Sequence, residues 1–74
     1  MEVVMPKLGL TMEEGIVSAW VAEDGKQVSA GEVICEIETD KVTEEIVAEA
    51  NGVLRHAASV GETVAAGEVI GHIE

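Results

Sequence analysis

Lys41 stands in a run of carboxylates, Glu36-Ile37-Glu38-Thr39-Asp40-Lys41-Val42-Thr43-Glu44-Glu45-Ile46. An exposed amine in this setting suits covalent modification by another enzyme, a use that needs no catalytic group from its own chain. Such a use requires the amine to project into solvent, within reach of a modifying enzyme, and the attached group to reach other proteins' active sites. Asp40 suits a bend there, because an Asp side chain can bond the backbone two residues on in a type I turn. Lys41 then falls at the tip of a hairpin, flanked by Asp40 and Val42. The ordinary reading of a lone lysine is a solvated charge; the turn, the position between two halves of a repeat and the specific signature around it, described below, together favour modification. Glu36, Glu38, Asp40, Glu44 and Glu45 read most simply as a solvated strand face. Their second role would be to steer a basic docking surface, an effect that salt weakens.

The remaining reactive side chains point to no catalysis. Cys35 alternates with Val33 and Ile37, the pattern of a buried small hydrophobe. As the only cysteine it excludes an internal disulfide and a cysteine-based zinc site. His56 and His72 are too few and too far apart in sequence to suggest a metal site, and no Ser/His/Asp or Cys/His constellation is present. Trp20 reads as a core or edge-packing residue, with no second aromatic to build a stacking surface.

The elements that must position Lys41 follow from a repeat. Gly25 to Glu38 aligns with Gly61 to Glu74, with nine of fourteen positions identical, in the pattern Gly-x-x-Val-x-Ala-Gly-Glu-Val-Ile-x-x-Ile-Glu. Upstream, Gly15-Ile16-Val17 resembles Gly52-Val53-Leu54, one residue out of register with the later offset. Two like halves predict a pseudo-twofold domain. Turn signals bound short apolar runs and predict strands near Glu2 to Met5, Gly15 to Val21, Gln27 to Ser29, Glu32 to Glu38, Thr43 to Ala48, Gly52 to Ala57, Thr63 to Ala65 and Glu68 to Ile73. Within Val33 to Glu38, period-2 alternation puts Val33, Cys35 and Ile37 on one face and Glu36 and Glu38 on the other. Glycine at Asp24-Gly25, Ala30-Gly31, Asn51-Gly52 and Ala66-Gly67 is expected to supply positive φ. Glycine or proline recurs too often to leave room for a helix.

Composition narrows the class. Seventy-four residues make one small domain, taken as 1–74, and with one Trp, no Phe and no Tyr its core must come from aliphatic side chains. A closed or sandwiched sheet is the way to stabilise such a chain without disulfides or metal. A formal charge of −11 argues against nucleic acid and anionic membranes as partners. No signal-peptide pattern and no run of roughly 18 apolar residues occurs, so a soluble domain is expected, either alone or as a piece of a longer polypeptide.

Glu38-Thr39-Asp40-Lys41-Val42 resembles the Glu-Thr-Asp-Lys-Ala signature of lipoyl domains in the acyltransferase components of 2-oxo acid dehydrogenase complexes. The likeness extends through Met5-Pro6-Lys7-Leu8-Gly9, Thr11-Met12, Glu14-Gly15, Trp20, Gly25 to Ile34 and Gly52 to Ile73. It implies an all-β fold, a flattened β-barrel (barrel-sandwich hybrid) of two four-stranded antiparallel sheets with quasi-twofold symmetry. It implies further that a lipoyl-attaching enzyme joins lipoic acid to Lys41 as an amide, giving an arm roughly 14 Å long. The implied partners are a thiamin-diphosphate-dependent dehydrogenase, the acyltransferase core and a flavin-dependent dihydrolipoamide dehydrogenase, all served by a non-catalytic, monomeric carrier domain of an acyltransferase polypeptide. The loop from Lys7 to Glu14 is implied to lie near the lipoyl-lysine. Leu8, Gly9, Leu10 and Thr11, with Glu38, Glu44 and Glu45, are then the expected recognition residues. Val42 departs from the usual Ala and enlarges the side chain beside the lysine.

The alternatives are a biotin carrier, whose lysine usually sits between methionines, an unmodified structural or interaction barrel, and a glycine-cleavage carrier, which is longer and has a different lysine context. Which 2-oxo acid or acetoin system is served stays open. The expected compartment is bacterial or archaeal cytoplasm, with the mitochondrial matrix as the alternative.

Overall fold

A computed structural model describes residues 1–7, 13–40 and 42–74. Eight strands form: β1 (Glu2–Val4), β2 (Glu14–Trp20), β3 (Gln27–Val28), β4 (Val33–Glu38), β5 (Thr43–Val47), β6 (Gly52–His56), β7 (Thr63–Ala65) and β8 (Val69–Ile73). All eight lie where the turn signals put them, with ends differing by a residue or so. They build two four-stranded sheets, β1-β8-β6-β3 and β5-β4-β2-β7, in which every pair is antiparallel.

Exchanging each strand with the one four places away turns the first sheet order into the second, so the internal repeat is a twofold repeat in space. The hydrogen bonds follow the same operation. Gly25 N–H donates to Leu54 O and Gly61 N–H to Val17 O; Leu54 N–H donates to Lys26 O and Val17 N–H to Glu62 O. Repeat positions are related by 36 residues downstream, but by 37 at Val17 and Leu54. The difference is Ser18. Pairing of β2 with β4 passes from Val17↔Ile37 to Ala19↔Glu36, leaving Ser18 as a bulge residue, whereas β6 pairs with β8 without interruption. The one-residue mismatch in the sequence repeat is thus an inserted residue in one strand, absorbed by local twist.

Two further bulges are symmetric and correct the simple alternation expected in β4. Pairing skips Ile34 between Val33 and Cys35, and Ile70 between Val69 and Gly71. Each skipped residue accepts two amides, Val21 and Ala22 at Ile34 O, and Ala57 and Ala58 at Ile70 O. The bulge turns both isoleucines inward, and both are fully buried. With Met5, Val17, Val28, Cys35, Ile37 and Leu54 they make an aliphatic core between the sheets. Each fully buried side chain of this size contributes roughly 1.5–3 kcal/mol relative to exposure.

The one indole is not merely packed. Trp20 and His56 are equivalent positions of the repeat, and their rings stack with centroids 3.9 Å apart and planes 14° from parallel. Trp20 Nε1 donates to Ala58 O at 2.9 Å, and His56 Nε2 lies 2.9 Å from Ala22 O, so each ring is tied to the opposite half. Because these residues exchange under the twofold, the stack marks its axis.

Gly52 has the positive φ expected of it, 158°, and space demands glycine as well: a Cβ would press on Glu74 O and lie 2.7 Å from Ile73 Cγ2. Gly25, Gly31 and Gly67 do turn at φ near +90°.

Candidate functional site

The candidate site is the connection between β4 and β5. Register runs from Glu36↔Glu45 through Ile37↔Glu44 to Glu38↔Thr43, so the chain reverses just beyond Glu38, as required. Cys35 and Ile37 root this hairpin in the core, while Glu38, Asp40, Val42, Thr43, Glu44 and Glu45 are exposed, Val42 by 45%. Among the described residues β5 is an edge strand paired only with β4, and charge at Glu44 and Glu45 guards it against edge-to-edge pairing. Lys41 itself lies outside the described residues, as do Leu8, Gly9, Leu10 and Thr11.

Residues on either side of Lys41 define its mounting. Thr39 N–H donates to Val42 O at 2.8 Å, the Thr39 hydroxyl lies 3.2 Å from the same oxygen, and Val42 N–H donates to Thr39 Oγ1 at 3.3 Å. Among the described residues the side chain that bonds across the turn is Thr39, beside the Asp40 that the sequence offers as a turn former. A threonine hydroxyl bonding nearby backbone is a known turn signal, and it was available in the sequence.

The ends of the 7–14 loop are also placed. Met5 is buried, donates its N–H to Glu68 O and accepts from Gly67 N–H; Ala66 N–H donates to Glu13 O. Since Ile16 pairs with Glu38, Glu14 and Glu13 continue past the end of β4, on the same end of the sheet as the hairpin. This geometry brings the exit of that loop to the site.

Electrostatically the described part of the hairpin carries a single sign. Its described residues carry five carboxylates and no cation, and Glu36 sits directly across from Glu45. Two of the chain's four cations are engaged elsewhere, Lys26 with Glu32 at 3.1 Å and Arg55 with Glu74 at 3.0 Å. The Ser29 amide and then the Lys26 ammonium hold the Glu32 carboxyl below its ordinary range. Cys35 is buried, and burial, with the nearby Glu36 charge, pushes its thiol up to about 11. That is an inert thiol. Among the described residues no cluster of His, Cys, Asp and Glu could hold a metal ion. His72 is exposed, and His56 serves the ring stack, a role invisible without the fold.

Comparison with known proteins agrees with this arrangement. The family profile described as "Biotin-requiring enzyme" (Biotin_lipoyl) matches residues 1–73. The chain is 41% identical over 73 residues to the dihydrolipoyllysine-residue succinyltransferase component of the 2-oxoglutarate dehydrogenase complex of Bacillus subtilis, covering 97% of this chain and 18% of that protein. It is 39% identical over 67 residues to the dihydrolipoyllysine-residue acetyltransferase component of the acetoin cleaving system of Pseudomonas putida, covering 89% of this chain and 18% of that protein. The chain thus spans less than a fifth of the length of either relative. The solution structure of the lipoyl domain of the 2-oxoglutarate dehydrogenase complex from Azotobacter vinelandii superposes with a TM-score of 0.82 at 35% identity, covering all of this chain and 95% of that one. Two quasi-symmetric sheets, a solvent-facing hairpin around an Asp-Lys step and these likenesses place the chain in the biotin/lipoyl attachment family, as a carrier domain of the lipoyl type.

Proposed function

We propose that Lys41 is the lipoyl attachment residue and that this domain carries a swinging arm between the active sites of a 2-oxo acid or acetoin dehydrogenase complex. The observation that carries the proposal is the hairpin itself: a core-rooted pair of strands whose described residues beyond Ile37 are exposed or half-buried, closed by bonds between the residues on either side of Asp40 and Lys41. Among the described residues the turn is closed without a charged side chain, and the exposure of Asp40 and Val42 on either side of Lys41 fits a covalently attached group. The Asp-Lys-Val context, with no flanking methionine, supports lipoate over biotin.

When bound, the dithiolane of lipoic acid supplies reversible thiol–disulfide and acyl-carrying chemistry. This chain's own residues do the mechanical part. Ile37 and Cys35 anchor the hairpin, Thr39 closes it, and the carboxylates around it repel anionic surfaces and favour a basic one. Tethering converts encounters between separate proteins into local ones by raising effective concentration. The partners that fit are a lipoyl-attaching enzyme, a thiamin-diphosphate dehydrogenase, an acyltransferase core and a flavin-dependent dihydrolipoamide dehydrogenase. Leu8, Gly9, Leu10 and Thr11, with Glu38, Glu44 and Glu45, would form their recognition surface.

Intact mass decides the assignment. Incubation with a lipoyl ligase, lipoate and ATP should add one lipoyl group to the chain and none to Lys41→Arg. Parallel incubation with a biotin ligase should add nothing. An adduct with biotin alone, or a lipoyl adduct that survives Lys41→Arg, would reject the proposal.

A further inference from the structure

We infer that Thr39 is a positioning residue for modification at Lys41: its hydroxyl locks the connection that the attaching enzyme must engage. The inference rests on the assignment of Lys41 as the lipoyl site. A two-residue connection between antiparallel strands is normally built on a type I′ or II′ turn, in which the first connecting residue has positive φ, while type I or II turns splay the strands. Asp40, the first connecting residue here, is not at positive φ. The usual exchange of two backbone bonds between the closing residues is accordingly replaced. Thr39 N–H donates to Val42 O at 2.8 Å, but Val42 N–H turns to the Thr39 hydroxyl at 3.3 Å, and that hydroxyl lies 3.2 Å from Val42 O.

One hydroxyl can fill both roles, since it carries one donor and two acceptor lone pairs. The side chain thus stands in for a main-chain acceptor. Among the described residues of the turn Thr39 is half-buried and Asp40 and Val42 are exposed, and the Val42 side chain has no polar atom to take its place. A ligase that docks on a hairpin already closed in this way avoids ordering it on binding, the cost that weakens association with a loose segment.

Three chains test this: wild type, Thr39→Val, which keeps the shape and β-branching but loses the hydroxyl, and Thr39→Ser, which keeps the hydroxyl. With lipoyl ligase, Thr39→Val should lower kcat/KM about tenfold, the equivalent of one to two weak hydrogen bonds. The loss should appear in KM for the domain rather than in kcat, because ordering is a docking cost. Thr39→Ser should recover to within about threefold of wild type on the same reasoning. Amide exchange supplies a readout independent of the ligase: Val42 N–H should exchange faster in Thr39→Val and recover in Thr39→Ser. Equal KM values for wild type and Thr39→Val, or Val42 exchange that ignores the hydroxyl, overturn the inference while leaving the Lys41 assignment intact. A wild-type chain that gains no lipoyl group overturns both.

Discussion

Replacing Gly71 by alanine adds one methyl group at the most crowded point of the β6–β8 pair. Gly71 lies across from His56 on one side and from Val3 on the other, so β8 is held between two neighbours and cannot simply move away. A Cβ at this position would sit 2.8 Å from the Arg55 carbonyl oxygen and 3.3 Å from Trp20 Cη2. The first is a contact with backbone, which must give way; the second pushes on the indole that stacks over His56. In an unconstrained strand interior, glycine to alanine is expected to stabilise by roughly 0.5–1 kcal/mol. Here overpacking reverses the sign, with a cost of about 1–3 kcal/mol. For a domain of this size that corresponds to a fall in Tm of about 4–8 °C per kcal/mol. Thermal unfolding followed by far-UV circular dichroism measures it, and Trp20 emission reports whether the ring has moved. A Tm at or above that of wild type, with unchanged emission, would refute the reasoning. The repeat explains the arrangement: the equivalent of Gly71 is Cys35, which faces Trp20 across β2–β4 while the smaller His56 ring occupies the other half. A large ring in one half requires the missing side chain in the other.

Removing the ring partner, His56→Ala, deletes the stack and leaves Ala22 O without its 2.9 Å donor; a loss of about 2 kcal/mol is expected from these two contributions, and an unchanged urea midpoint would count against it. Glu45→Lys places a cation opposite Glu36 and should raise stability by about 0.5 kcal/mol, a gain that should shrink in high salt. Cys35 should resist thiol reagents at pH 8 in the folded chain and react fully in denaturant, because with a pKa of about 11 only about one thiol in a thousand is ionised there. The same shift has a thermodynamic consequence of definite sign: the folded state holds the thiol proton more tightly than the unfolded chain, so the contribution is intact below the ordinary value of 9.0 and is lost as pH rises through about 11. Stability that rose with pH over that interval would contradict it.

Strand positions and twofold character could be read from the sequence because they depend on turn residues and on a repeat, both of which are local patterns, whereas the division into two sheets was implied by the family resemblance. What escaped is what the two halves do to each other. Ile34 and Ile70 are buried by bulges that break the period-2 alternation, and nothing in Val33-Ile34-Cys35 announces which residue the pairing will skip. His56 carries no signal of its own: its partner Trp20 is distant in sequence, and only the symmetry axis brings the two rings together. The Asn-Gly step predicts the positive φ of Gly52, but not the close approach of Glu74 that also requires glycine there, a long-range contact. At the site, the hairpin and its acidic flanks were visible in the residues, whereas the clamp at Thr39 was masked by a stronger turn former one position later.

The mixing of strands from both halves in each sheet bears on how the domain comes apart. Each sheet takes two strands from either half, so no cut near the middle of the chain yields two pieces that could stand alone. Opening should therefore be a single cooperative event, and the slowest-exchanging amides of the two sheets should report one common free energy rather than two. An arm mounted on such a unit swings from a base that does not unravel by halves while it is being handled.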